Sequence, residues 1–154
     1  VYRPNTNPVL EYAQYHGRCA SNKYLVDRMD VKGMIKALRN GDALWYAPDH
    51  DYGSHASVFV PYFAVVQAAT ITGTATLARV KNTVTLPCYN IRTKEGYTLH
   101  IGAPLEGYPS GDDLADASRA NREIEAAVRK APEQYMWLHR RFKTRPNPDD
   151  PGYY

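Results

Sequence analysis

The densest set of reactive side chains in the 154-residue sequence is the octapeptide Tyr46, Ala47, Pro48, Asp49, His50, Asp51, Tyr52, Gly53. Two carboxylates around an imidazole offer three chemistries. They can hold a metal, with His55 as a further donor, act as a general base with its orienter, or clamp a substrate hydroxyl or amide. The same residues also read as a polar loop whose aspartates cap a turn, and Asp-His-Asp by itself does not choose. A second set is Arg18, Asn22, Lys23 and Arg28, spread over a helix end and the loop after it. Its guanidinium and ammonium groups suit phosphate, or simply a solvated face. The third is Trp137, His139, Arg140 and Arg141. It belongs to a stretch in which Arg140, Arg141, Lys143 and Arg145 place four permanent cations in six positions beside aromatic rings. Such a patch fits an anionic lipid surface, or forms the edge of a surface strand or helix.

The elements that must position these groups are legible from periodicity and punctuation. Asn7-Pro8 is an N-cap followed by proline at the first helical position, and predicts a helix to about Cys19. Asp30 caps a second helix to about Asn40, because Val31, Met34, Ile35 and Leu38 fall at i, i+3, i+4 and i+7 before Gly41. The run Ala43–Tyr46 reads as a buried parallel strand ended by Pro48. Residues 49–62 read as loop, 68–79 as a helix of small residues, and 83–86 as a second strand. Tyr97–Ile101 alternates as a third strand after a turn at Lys94, Glu95 and Gly96. A long helix covers about 113–130, and the tail from Pro146 to Tyr154 reads as loose. Helix and strand in alternation predict an α/β layer architecture with a mostly parallel sheet flanked by helices.

Composition narrows the function classes. A mass of 17.4 kDa and 44% hydrophobic residues suffice for a packed core and exclude disorder for most of the chain. A formal charge of +3 is too small to argue for nucleic acid. No run of about 18 apolar residues occurs in it. Cys19 and Cys88 are too few for a disulfide framework and have no neighbours at metal-ligand spacing, so they read as reduced, buried thiols.

The segments YAPDHDYG (46–53), SVFVPYFAV (57–65) and APEQYMWLHRRFKTRP (131–146) resemble the bacterial lipid A biosynthesis acyltransferases of the lauroyl and myristoyl type. The resemblance continues through SNK (21–23), Asp27-Arg28 and KGMIKAL (32–38). It implies a glycerol-3-phosphate acyltransferase-like α/β fold on the cytoplasmic face of the bacterial inner membrane. The implied reaction carries a fatty acyl chain from acyl carrier protein, as co-substrate and without other cofactor or metal, to a hydroxyl of a lipid A precursor in lipopolysaccharide biosynthesis.

In that family a histidine, separated by four residues from an acid, deprotonates the acceptor hydroxyl. The five histidines here, His16, His50, His55, His100 and His139, are followed at that distance by Ser21, His55, Val60, Leu105 and Thr144. No catalytic residue is therefore assigned within the sequence. The histidine-acid pair and an amino-terminal membrane anchor are expected upstream of Val1. Residues 1–154 are read as the carboxy-terminal part of a single acyltransferase domain. The resemblance places Asp49 in an acceptor-binding block and Arg18 at a basic position near the active site. The expected substrate-binding set is Arg18, Lys23, Arg28, Asp49, His50, Arg140 and Arg141. At least one of the last two is expected on a phosphate or on the acidic face of acyl carrier protein, against a rival ion pair with Glu123 or Glu125. Two other functions stay open: a metal-dependent hydrolase using Asp49, His50 and Asp51 with His55, and a non-catalytic module that binds anionic lipid through the 140–145 cations.

Overall fold

The Asn7 carboxamide accepts the backbone N–H groups of Val9 and Leu10, and Pro8 needs no donor at the first helical position. Together they start α1, Pro8–Cys19, in the computed structural model, which describes residues 1–154. The chain divides into two units, residues 1–47 and 48–154. In the first, a single parallel bridge joins Tyr2 to Asp27, with the Tyr2 N–H donating to the Val26 carbonyl at 3.0 Å. Asp30 accepts the Gly33 N–H and starts α2, Val31–Arg39, which buries Met34 and Ala37. Gly41 follows at φ 79°, a left-handed stop that costs glycine nothing.

The second unit is built on a hairpin. Strands β1, Ser57–Tyr62, and β2, Val65–Ile71, pair antiparallel in the register Val58 to Thr70 and Val60 to Ala68, with a bulge at Pro61. A bulge or edge is where a strand tolerates proline, which has no N–H to give the ladder. The turn carries Phe63 at φ 50°. After the short helix α3, Gly73–Ala78, a second antiparallel hairpin joins β3, Cys88–Arg92, to β4, Tyr97–Ile101. Helix α4, Asp113–Val128, starts on an Asp112 cap and lies across β1–β2, closing a core that includes Val60, Tyr62, Ala68 and Ala117. A single 3-10 turn, Pro132–Gln134, leads into the last segment.

Both capped helices, the long helix and the third strand with its turn stand where periodicity puts them. The mostly parallel sheet does not form: the molecule has two separate two-stranded antiparallel sheets. Residues 43–46 and 83–86 are in neither sheet, although Thr85 and Pro87 accept backbone N–H groups from Leu105 and Gly102. Nor is the 43–46 run buried as expected: Trp45 is 54% exposed. Val84 and Leu86 are 64% and 45% exposed, and a strand needs a neighbour for its ladder, which neither segment has. The region read as loop holds β1, and the helix read over 68–79 begins only at Gly73, because residues 65–71 pair with β1. The tail folds back, with the Arg145 guanidinium 4.0 Å from the Tyr153 ring centre and the Phe142 N–H donating to the Tyr154 hydroxyl at 3.3 Å. No helix is long and apolar enough to cross a membrane.

Candidate substrate-binding site

Asp51 is 4% exposed, and its carboxylate is filled by the chain itself. One oxygen accepts from the Gly53 N–H at 2.9 Å and the Thr144 hydroxyl at 2.8 Å, and the other from the Thr144 N–H at 2.9 Å. Asp51 thus clips the 46–53 loop to the 139–145 segment. The clip aligns the loop histidine with the segment's own: the His50 and His139 rings meet at a centroid distance of 4.0 Å, inclined by 40°, and His50 Nε2 lies 3.7 Å from an Asp49 oxygen. Burial, then the neighbouring His50, holds the His139 imidazole below its ordinary pKa, so its neutral form is favoured. His139 Nε2 is buried with no hydrogen-bond partner. The result is an exposed imidazole beside a carboxylate, backed by a second, neutral imidazole. That arrangement can accept or orient a hydroxyl or amide hydrogen.

Arg140 and Arg141 point into opposite environments. Arg140 is exposed, whereas Arg141 is 2% exposed and donates to the Ala69 carbonyl at 2.6 Å and the Thr70 hydroxyl at 3.1 Å. Its guanidinium carbon lies 4.8 Å from the Tyr62 ring centre. Thr70 also receives the Asn121 side-chain amide, which donates to the Pro61 carbonyl as well, both at 2.9 Å. Tyr62 donates to the Tyr135 hydroxyl at 3.3 Å, and burial with that bond pushes the Tyr62 phenol far above its ordinary range. The two glutamates named as rival partners are engaged on the helix: Glu125 with Arg129 at 2.8 Å, and Glu123 with Arg119 at 3.5 Å.

The other expected cations belong to unit 1–47. Arg18 lines a concavity of about 430 Å³ with Arg3, Asn5, Thr6 and Gln14. Lys23 pairs with Asp42 at 2.7 Å, and Tyr24 donates to the same carboxylate at 2.6 Å. Those two bonds hold the Asp42 carboxyl below the usual range. The Arg28 N–H donates to the Tyr2 carbonyl beside the parallel bridge. In unit 48–154 the structure brings Asp49, His50 and His139 together and sends Arg141 into the core.

The metal-hydrolase arrangement lacks its geometry. Asp51 is occupied by Thr144, His55 is exposed, and no group of three or more His, Cys, Asp or Glu side chains is placed to hold a metal ion. Residue spacing missed Thr144, Thr70, Asn121 and Arg3. Asn121 carries a usable signal, because it falls four residues after Ala117 on the buried face of α4 and a buried amide needs partners.

A family model described as bacterial lipid A biosynthesis acyltransferase matches residues 1–144. The lipid A biosynthesis lauroyltransferase of Escherichia coli K12 is 53% identical over 148 residues, 95% of this chain and 48% of that relative. A lipid A biosynthesis acyltransferase of Haemophilus influenzae is 48% identical over 157 aligned positions, 100% of this chain and 50% of the relative. The palmitoleoyltransferase of lipid A biosynthesis in E. coli K12 is 44% identical over 148 residues, 95% and 48% of the two lengths. The chain belongs to the bacterial lipid A biosynthesis acyltransferase family, and it spans about half the length of the curated relatives it matches.

Proposed function

We propose that this chain is the carboxy-terminal part of an enzyme that transfers a fatty acyl group from acyl carrier protein to a hydroxyl of a lipid A precursor, at the cytoplasmic face of the bacterial inner membrane. The observation that carries this reading is the family match over residues 1–144. In the reaction the acceptor oxygen forms the ester bond to the acyl carbon as the thioester C–S bond breaks. The acceptor proton passes to a general base, and the leaving thiolate takes up a proton. This reading assigns the base to a histidine-acid pair outside residues 1–154. Asp49 and His50 then orient the acceptor hydroxyl, with His139 beside the His50 ring. Within unit 1–47, Arg18 and its neighbour Arg3 offer guanidinium forks that suit a phosphate. Arg140 is the exposed member of its pair and the one free to meet a phosphate or an acidic carrier protein; Arg141 holds the segment in place.

The test is transfer of a labelled acyl group by the full-length protein, with acyl carrier protein thioester as donor and a lipid A precursor as acceptor. Ester formation on the sugar lipid supports the reading. Use of acyl-coenzyme A alone refutes the carrier-protein donor, and transfer only to a glycerol phosphate refutes the acceptor.

A further inference from the structure

The Asp51 carboxylate has more donors than a turn needs. The Gly53 N–H alone, at 2.9 Å, closes an aspartate turn. Thr144, 93 positions further along the chain, adds two more: its N–H reaches one carboxylate oxygen at 2.9 Å and its hydroxyl the other at 2.8 Å. A residue that holds both oxygens of one carboxylate fixes its plane as well as its distance. Burying a carboxylate also costs free energy that a solvated turn cap would not incur. Asp51 is nevertheless buried, while the Asp49 and His50 side chains beside it keep 31% and 46% of their surface exposed. The buried acid ties the loop down, and the two accessible groups stand on it.

Thr144 is itself referred to the core. Three residues before it, Arg141 donates to the Ala69 carbonyl and the Thr70 hydroxyl, and Thr70 accepts from Asn121 of α4. Hydrogen bonds thus lead from α4 to β2 and on to the 141–144 segment, and from Thr144 to Asp51. His50 is the residue before Asp51, and Asp49 the one before that. A loop that would otherwise place its side chains loosely is set against the most rigid elements of unit 48–154.

We propose that Thr144 is a positioning residue for acyl transfer, its two-point grip on Asp51 setting where Asp49 and His50 meet the acceptor hydroxyl; this rests on the reading in which those two residues orient that hydroxyl. Thr144 touches no reacting atom and acts through the loop alone. Misplacing an orienting group by about 1 Å costs on the order of 10²-fold in rate, so one lost bond of the grip registers in turnover.

The experiment is steady-state transfer by the full-length protein from acyl carrier protein thioester to a lipid A precursor, with folding checked by circular dichroism. Thr144→Val keeps the N–H and the side-chain shape and deletes the hydroxyl, Thr144→Ala deletes it with less bulk, and Thr144→Ser restores it. The valine and alanine variants should lower kcat at least about tenfold with the KM for the acyl donor within about twofold of wild type, and serine should recover kcat to within about threefold. Added to Asp49→Asn, Thr144→Val should cost less than about twofold more, because it acts through the same loop. Ser110 gives the matched control: its hydroxyl donates to the buried Asp116 at 2.8 Å, the same kind of bond at the start of α4. Ser110→Ala should lose comparable stability in urea denaturation with kcat unchanged. Wild-type kcat in both Thr144→Val and Thr144→Ala overturns the proposal, as does a tenfold further loss in the double variant, and either leaves the orienting role of Asp49 standing. An equal fall of kcat in Ser110→Ala would tie turnover to stability and overturn it too. Wild-type turnover of both Asp49→Asn and His50→Gln removes the underlying reading and the proposal with it.

Discussion

Arg140 and Arg141 are neighbours that substitution should separate. Arg141 gives two hydrogen bonds inside the core and lies over Tyr62, so Arg141→Gln leaves the Ala69 carbonyl without its donor. A loss of about 2–3 kcal/mol in unfolding free energy is expected by urea denaturation, against less than about 0.5 kcal/mol for Arg140→Gln. Equal small losses would remove Arg141 from its place as the staple. Asp49→Asn in the full-length enzyme should lower acyl transfer at least about tenfold with the melting temperature unchanged, since a loop carboxylate at a strand-free edge carries little packing. Wild-type turnover would take Asp49 out of the site. His139 gives a pH dependence of definite sign. Its folded-state pKa lies below the ordinary value of 6.5, so the unfolded chain binds the proton more readily. The stability tied to its neutral form is complete above about pH 6.5 and is lost as pH falls through the depressed folded-state pKa. The fall in melting temperature from pH 7.5 to 5.5 should therefore be smaller in His139→Asn than in the wild type, and parallel curves would refute the assignment.

The turn between β1 and β2 shows how an element that carries no glycine signal is held. Phe63 sits at φ 50°, a conformation that costs a non-glycine residue about 1 kcal/mol. Its N–H donates to Glu125 at 2.8 Å, and its ring packs 5.9 Å from Trp137 and 5.3 Å from the Arg129 guanidinium. Glu125→Ala deletes the acceptor and the Arg129 pair together, and should destabilise the unit by about 1–2 kcal/mol in denaturant titration, while Glu125→Gln keeps the acceptor and recovers most of that. The dependence of this turn on a helix sixty residues away explains why the first hairpin was not legible in sequence. Pro61 and the absence of a Gly or Asn turn argue against a hairpin locally, and the element exists through α4. Helices α1 and α2 were legible, because caps at Asn7 and Asp30 and the 3.6-residue period are local signals; α4 was legible from its period, and its Asp112 cap appears only in the structure. The parallel sheet was not legible, since β-prone residues at 43–46 and 83–86 name no ladder partner, and the structure gives them neither a strand neighbour nor burial. At the site, Asp49 and His50 stood out as a cluster, but Asp51 as a clip and Arg141 as a core cation depend on Thr144 and Thr70, which only tertiary structure brings near.

At the scale of the whole molecule the question is what residues 1–154 do alone. Acyl transfer to a hydroxyl needs a group that removes its proton, and the proposed function assigns that role to a histidine with an acid five positions on, a pairing that none of the five histidines here satisfies. The nearest substitute in unit 48–154 is His50 with Asp49 and His139. In it His139 Nε2 is buried, and burial lowers the basicity of its imidazole, so an acceptor oxygen does not reach it without displacing the 135–145 segment from the Asp51 clip and the Arg141 anchor. The 154-residue chain should therefore transfer acyl groups from acyl carrier protein about 10²- to 10⁴-fold more slowly than a longer protein of the family that carries the histidine-acid pair, the range general-base assistance supplies. Intact folding of the shorter chain is checked by its circular dichroism. If it instead turns over near the longer protein's rate, and His50→Gln abolishes that turnover, the base lies in this chain and the adjoining histidines are the catalytic pair.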